Sequence, residues 1–88
     1  MDIFYDLAIK HLEEEIEDAC EYLKEAEDAK EDGKEYLAAG MRKVALDEYS
    51  HAKFLRDYLH SKHVYNEHEK HEHIEKKWHR LREKLGLE

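Results

Sequence analysis

The segment LDEYSHA, residues 46–52, places a Glu-x-x-His pair on the apolar face of an expected helix. This face repeats every third or fourth residue, and its members are Met41, Val44, Glu48, His51, Leu55 and Tyr58. A face with this spacing normally packs on a protein core. A carboxylate and an imidazole on such a face need a partner that makes their burial tolerable, and a metal ion is the obvious one.

The composition predicts a small, all-helical protein with a single domain, residues 1–88. The chain is 43% charged and 41% hydrophobic, with no proline and three glycines, which favours helices joined by few loops. The net charge of −8 argues against nucleic acid and anionic membranes as partners, and it favours cations. A single cysteine, Cys20, excludes an intrachain disulfide. Because neither a signal peptide nor a membrane span is recognisable, we expect a soluble, cytoplasmic protein.

Apolar spacing predicts an antiparallel two-helix hairpin. Helix 1 is expected at about residues 3–31, with Asp2 as its N-cap. Gly33 suits the left-handed conformation that ends a helix, so the turn should lie there. Helix 2 is expected at about residues 34–65. Gly40 inside it costs roughly 1 kcal/mol against alanine, which a close helix contact would explain.

A shorter C-terminal helix is expected at about residues 67–85. Asn66 and Glu69 have the spacing of a capping box at its start. The sequence leaves open whether this helix is separate from helix 2 or a bent continuation of it. Its narrow apolar face is expected to pack against a neighbouring subunit, and that face consists of Ile74, Trp78, Leu81 and Leu85.

Helix 1 carries a second polar residue on an apolar face. Glu15 lies in register with Ala19, Tyr22 and Ala26. In an antiparallel hairpin that turns beside Gly33, counting from the turn places Glu15 level with Glu48. The two carboxylates should therefore face each other.

Two carboxylates and one imidazole are too few ligands for a dinuclear iron site, and a hairpin is half of a four-helix bundle. A two-fold homodimer would supply four carboxylates and two histidines, which is the ligand set of di-iron carboxylate bundles. Carboxylate oxygens combined with imidazole suit iron or manganese better than metals that prefer soft ligands. The sequence therefore predicts a homodimer, or a higher homo-oligomer, built as a four-helix bundle.

The pattern resembles that of known di-iron proteins. Tyr22 follows Glu15 by seven residues, and the Glu48-x-x-His51 pair follows Glu15 at a spacing that resembles the first half of a rubrerythrin or ferritin-like bundle. The hairpin with its third helix further resembles the encapsulated-ferritin-like proteins, whose subunits are half-bundles that dimerise around the metals. The resemblance covers about residues 3–65.

The resemblance implies a dinuclear iron site at the dimer interface, with two irons per dimer bound by Glu15, Glu48 and His51 of both chains. It implies that Tyr22 donates a hydrogen bond to a ligand carboxylate. The activity implied is oxidation of Fe(II) by dioxygen or peroxide, a ferroxidase reaction in iron storage or detoxification, with Mn or Zn as possible substitutes. An encapsulin-type shell is then a potential partner, and a protein nanocompartment a potential location.

Other interpretations of the same residues remain open. The polar layer could serve assembly in a non-catalytic helical oligomer, or it could merely sequester metal. Tyr22 could be an ordinary core residue, and His11, one turn before Glu15, could be a surface residue instead of a further ligand. A histidine-rich site for Zn or Ni could lie in residues 60–73, although His60 and His71 would be about 16 Å apart on one continuous helix.

Overall fold

The computed structural model describes residues 3–88, with His63 described by its backbone alone, and it is helical without any strand in that range. None of its helices combines the length and the apolar character that crossing a membrane requires. The predicted N-cap Asp2 lies outside the described residues. The elements in chain order are α1 (Ile3–Glu31), α2 (Glu35–His60), a short 3₁₀ turn (His63–Glu67) and α3 (His71–Lys84).

Gly33 closes the turn between α1 and α2, as the sequence predicts. Its φ of 77° lies in the left-handed region. The N–H of Gly33 donates to the carbonyl of Lys30 at 3.0 Å, and the N–H of Lys34 donates to the carbonyl of Ala29 at 2.9 Å. These two bonds form a Schellman motif, which satisfies the last carbonyls of α1 and reverses the chain.

Small side chains let the two long helices pack closely. The buried residues of α2 recur every seventh position, and they are Ala38, Ala45, Ala52 and Leu59. Ala45 and Ala52 have no exposed surface, and they lie in one core with Ile16 and Ala19 of α1. Because an alanine side chain ends at Cβ, polar residues at the edges of this seam are brought near one another across the hairpin.

The third helix packs on its own chain, so the prediction that it packs against a neighbouring subunit is wrong. Its apolar side chains Ile74, Trp78 and Leu81 are buried in the same core as α1 and α2. The amphipathic spacing predicted correctly that this face is buried. It carried no information on which chain buries it, because a narrow apolar stripe fits a partner as well as its own hairpin.

Helix α2 ends at His60, and not near residue 65 as expected. Ser61 caps it, with its hydroxyl donating to the carbonyl of Tyr58 at 2.5 Å. Beyond this point the chain reverses so that Tyr65, which is fully buried, can donate a hydrogen bond to Glu75 of α3 at 3.1 Å. This tertiary contact outweighs the helical tendency of the intervening residues, and it makes α3 a separate helix.

The expected capping box at the start of the third helix does not form. Asn66 lies inside the 3₁₀ turn, and α3 begins at His71, four residues later than expected. Just before α3, Nδ1 of His68 accepts a hydrogen bond from the backbone N–H of Lys70 at 3.0 Å. Residues 67–70 therefore belong to the connection and not to the helix.

Candidate metal centre

Glu15 of α1 and Glu48 and His51 of α2 come together at mid-hairpin. Each offers one ligand atom, and these three atoms all lie within 4.8 Å of one another. Nδ1 of His51 is 3.5 Å from Oε2 of Glu15 and 3.8 Å from Oε1 of Glu48. Among the side chains described in residues 3–88, no other group of three potential ligands lies this close together.

The local packing explains why these carboxylates meet. Glu48 is preceded by Ala45 and followed by Ala52, one turn away on either side, and both alanines are fully buried against α1. On the facing helix, Glu15 lies beside the buried Ile16 and one turn before Ala19. The close approach of two alanine-rich surfaces thus sets the distance between the carboxylates.

The site contains a buried oxygen without a donor. Oε2 of Glu15 is buried, and among the described residues 3–88 it has no hydrogen-bond partner. A buried carboxylate oxygen in this condition costs free energy, since its hydration is lost without replacement. The side chains of Glu15 and Glu48 are 25% and 21% exposed, whereas that of His51 is 61% exposed. A cation bound here would replace the missing donor, so the three residues fit a metal ion.

Electrostatics at the site favour either a proton or a cation. The pKa of Glu48 is raised above its ordinary value, first because a protonated Glu48 can hydrogen-bond to Glu15, and then because of burial and the negative charge of Glu15. The neighbouring His51 acts in the opposite direction and lowers the pKa of Glu48. Two carboxylates held this close disfavour double ionisation. A divalent cation would relieve the same repulsion.

Asp18 adds to the negative potential, and the sequence reasoning missed it. Burial raises its pKa most, and the charges of Glu48 and of acidic neighbours on α1 raise it further. The sequence could have predicted this proximity, because Asp18 lies one turn after Glu15 and residues three apart on a helix are neighbours.

The site opens on the side of the hairpin that α3 leaves uncovered. The ring of Tyr49 stacks on Trp78 of α3 at 4.9 Å between centroids, and the Arg56 guanidinium lies 5.1 Å from the same ring. Tyr49 and Arg56 therefore mark the side of α2 that faces α3. His51 lies about 160° around the helix from Tyr49. Val44, on the same side as His51, is 37% exposed.

Two other predicted site residues are not brought into this group. Tyr22 is half-buried and packs against the core, and the structure shows no hydrogen bond between its hydroxyl and a site carboxylate within residues 3–88. Nδ1 of His11 lies 3.7 Å from Oε2 of Glu14, and both side chains are about half exposed. The roles of Tyr22 and His11 at a metal stay predictions.

The C-terminal histidines make separate contacts. The rings of His60 and His71 both pack edge-on against Tyr65, at 5.3 and 4.7 Å between centroids. The expectation that they lie far apart on one helix is wrong, since the chain reverses between them. Nε2 of His73 lies 3.4 Å from Oε2 of Glu13. These histidines help to hold α3 and its connection in place, and within the described side chains they do not form a three-ligand group.

No family model, curated protein or solved structure matches this chain. Its function is therefore inferred from its own residues. They define an acidic helical hairpin that carries two carboxylates and one imidazole at mid-length, close enough together to bind one ion.

Proposed function

We propose that the chain binds Fe(II) at Glu15, Glu48 and His51 and, as a homodimer, oxidises it with dioxygen or peroxide. Its role would be that of a ferroxidase in iron storage or detoxification. The observation that carries the proposal is the convergence of three ligand atoms within 4.8 Å, one of them from a carboxylate that has a buried oxygen without a donor.

The donor set supports iron as the ion. Carboxylate oxygens are hard ligands and imidazole is intermediate, a combination that suits Fe(II) and Mn(II), while Zn(II) can compete for it. The absence of a cysteine among the three residues argues against a site built for soft metals. Because the pKa of Glu48 is raised, a metal ion would compete with a proton for this carboxylate, and metal binding should strengthen as pH rises.

A second copy of the chain would complete a dinuclear centre. Three donors bind one metal incompletely, whereas a two-fold pair of hairpins supplies four carboxylates and two imidazoles. Two features support this arrangement. His51 lies on the side of the hairpin that α3 leaves uncovered, and the same side carries the partly exposed apolar residues Leu37 and Val44.

Two irons side by side match the electron demand of the oxidant. Two Fe(II) give two electrons to dioxygen, which takes up two protons and becomes hydrogen peroxide. With peroxide as oxidant, two electrons and two protons break the O–O bond and yield two waters. The carboxylates would supply the negative charge that stabilises the Fe(III) product.

An anaerobic Fe(II) titration, followed by admission of air, tests the proposal. We expect the ferric absorbance to stop rising at about one iron per chain. This saturation point, the iron break, should be absent in Glu48→Ala. Glu72→Ala is the matched control, because Glu72 is an 84% exposed glutamate on α3 that pairs with Lys76. No saturable oxidation, or a break that Glu48→Ala leaves unchanged, contradicts the proposal and favours a polar layer that serves assembly.

The same titration tests the alternative of a histidine-rich Zn or Ni site. Truncation before residue 61 is unsuitable, because it would remove Tyr65 and α3 from the core. Point substitutions avoid this problem. His60→Gln and His73→Gln should leave the iron break unchanged, and they should leave tight Zn(II) or Ni(II) binding unchanged as well. Loss of metal binding in these two variants, with binding retained in Glu48→Ala, would establish the histidine-rich site instead.

A further inference from the structure

The face of α2 that carries Glu48 and His51 has the same pattern in both directions from the midpoint between these two residues. An aliphatic residue lies four positions beyond the pair on either side, and a larger side chain lies seven positions beyond it. In chain order these four flanking residues are Met41, Val44, Leu55 and Tyr58. Val44 is 37% exposed and the other three are half-buried, so this face keeps apolar surface that residues 3–88 do not cover.

The two polar residues at the centre of the face are complementary to each other. Glu48 offers carboxylate oxygens and His51 offers imidazole nitrogens. Within one chain, Nδ1 of His51 lies 3.8 Å from Oε1 of Glu48, which is too long for a hydrogen bond. Because the side chain of His51 is 61% exposed, its ring is accessible to a carboxylate of a second chain.

We infer that a second copy packs its α2 antiparallel on this face, with the two-fold axis crossing at the midpoint between Glu48 and His51. Val44 of each copy then lies level with Leu55 of the other, and Met41 lies level with Tyr58. This inference rests on the proposed function for the homodimer, and it adds the face, the direction and the register of the pairing. Because a two-fold contact is reciprocal, each apolar pair forms twice.

The symmetry of the face favours a second copy as the occupant. An antiparallel copy presents the same residues in reverse order, so apolar side chains meet apolar ones and each Glu48 lies level with an imidazole. A parallel copy in register would instead place Glu48 level with Glu48, and the two carboxylates would repel each other. The antiparallel arrangement also brings the thioether of Met41 to the ring of Tyr58, a favourable contact of sulfur with an aromatic ring.

The same axis joins the two half-sites, because the ligands belong to the packed face itself. The axis passes between Glu48 and His51, so the two copies of Glu48 are offset by only about 4.5 Å along the helices. Oε2 of Glu15 lies 3.5 Å from Nδ1 of His51 and adds the third ligand of each half. Four carboxylates and two imidazoles then converge on the axis.

Sedimentation equilibrium in Mn(II), which air does not oxidise at neutral pH, tests the face. Val44→Lys should raise the dimer dissociation constant about tenfold or more, because its ammonium group would be buried against Leu55 of the second copy. Leu55→Glu should weaken the dimer for the same reason. Val44→Lys combined with Leu55→Glu should recover part of the loss, since the two new charges then face each other.

Phe54→Lys is the matched control. Phe54 is a 71% exposed residue of the same helix, but it lies about 100° around α2 from Leu55 and so outside this face. Its substitution should change the dissociation constant by less than about twofold, as expected for a surface position away from a contact. A larger loss in Phe54→Lys than in Val44→Lys would overturn the proposal, and so would a dimer that none of these variants weakens.

Disulfide cross-linking tests the register without introducing a charge. In a Cys20→Ser background, Val44→Cys combined with Leu55→Cys should give a covalent dimer under mild oxidation. Val44→Cys alone should not, because its own mate would lie about 16 Å away along the antiparallel pair. Val44→Cys combined with Phe54→Cys is the control, and it should also fail to cross-link. A covalent dimer from Val44→Cys alone, or none from Val44→Cys with Leu55→Cys, contradicts the register.

The two proposals fail separately. If the iron break is present but the Val44 and Leu55 variants dimerise as wild type does, the packing is wrong and the proposed function stands. If these variants weaken the dimer and the cross-link forms, but wild type shows no iron break, the packing stands and the polar pair serves assembly alone. A wild-type protein that stays monomeric in Mn(II) overturns the packing whatever the iron titration shows.

Discussion

The guanidinium group of Arg56 makes three hydrogen bonds to the carboxylate of Glu75, at 2.6, 3.0 and 3.2 Å, and so ties α2 to α3. Tyr65 donates a further hydrogen bond to the same carboxylate at 3.1 Å. The pKa of Glu75 is lowered because these hydrogen bonds and the Arg56 charge outweigh the opposing effect of its burial. Three elements of the fold therefore converge on one carboxylate.

Glu75→Ala should destabilise the chain by about 2–4 kcal/mol, since it leaves Arg56 and the buried Tyr65 hydroxyl without their acceptor. Urea unfolding followed by circular dichroism measures the change. Glu72→Ala, on the exposed face of α3, should change stability by less than about 0.5 kcal/mol. Because the folded pKa of Glu75 is lowered, its contribution is present at neutral pH and is lost as pH falls through that lowered pKa. Equal effects of the two substitutions would show that the contacts of Glu75 with Arg56 and Tyr65 do not stabilise the fold.

Glu48→Gln should stabilise the metal-free protein at neutral pH. The raised pKa means that folded Glu48 keeps its proton where the unfolded chain has lost it, so wild-type stability falls as pH rises from about 4.5 towards the raised value. Glutamine resembles the protonated acid and lacks this penalty. Thermal melts from pH 4 to pH 8 in a chelator should show a gap between the two proteins that widens with pH. A gap that does not change with pH would contradict the carboxylate contact.

Metal should reverse that order of stability. A ligand that binds only the folded state at one hundred times its dissociation constant stabilises by about 2.7 kcal/mol. For a domain of this size, each kcal/mol raises Tm by roughly 4–8 °C. Saturating Mn(II), or Fe(II) without oxygen, should therefore raise the wild-type Tm by about ten degrees or more and leave Glu48→Gln nearly unchanged. A wild-type Tm that ignores both ions would count against the site.

Ala52→Leu should disrupt the site without touching a ligand. Ala52 has no exposed surface, so a larger side chain must push α1 and α2 apart, at a cost of about 1–3 kcal/mol. The separation of Glu15 and Glu48 would grow with it. Ala39→Leu makes the same change at an exposed position of the same helix. We expect Fe(II) oxidation to fall at least tenfold in Ala52→Leu and to stay within twofold of wild type in Ala39→Leu.

The hairpin and the grouping of Glu15, Glu48 and His51 could be predicted because both follow from the spacing of residues along the chain. Helical spacing places each residue on a face, and the distance from Gly33 fixes the level at which the helices meet. The face of a residue and its level in the hairpin both depend only on positions within the two helices and the turn that joins them. The helical hairpin and its turn are confirmed, while iron binding and dimerisation stay predictions.

The C-terminal part was harder to predict, since its boundaries depend on tertiary contacts. No proline or glycine marks the end of α2 at His60. The chain reverses there because Tyr65 reaches Glu75, and those two residues lie ten positions apart in different elements. The same limit applied to Trp78, whose spacing shows that it is buried but cannot show that Tyr49 and Arg56 of its own chain cover it.

The turn at Gly33 sets the alignment of α1 and α2 at the candidate metal centre, which lies about 27 Å away along α1. One residue added between Lys30 and Lys34 would leave every ligand intact and both helices amphipathic. It would nonetheless slide α2 by about 1.5 Å and change which of its residues lies opposite Glu15. A change in loop length, usually the most tolerated kind, would here act like the loss of a ligand.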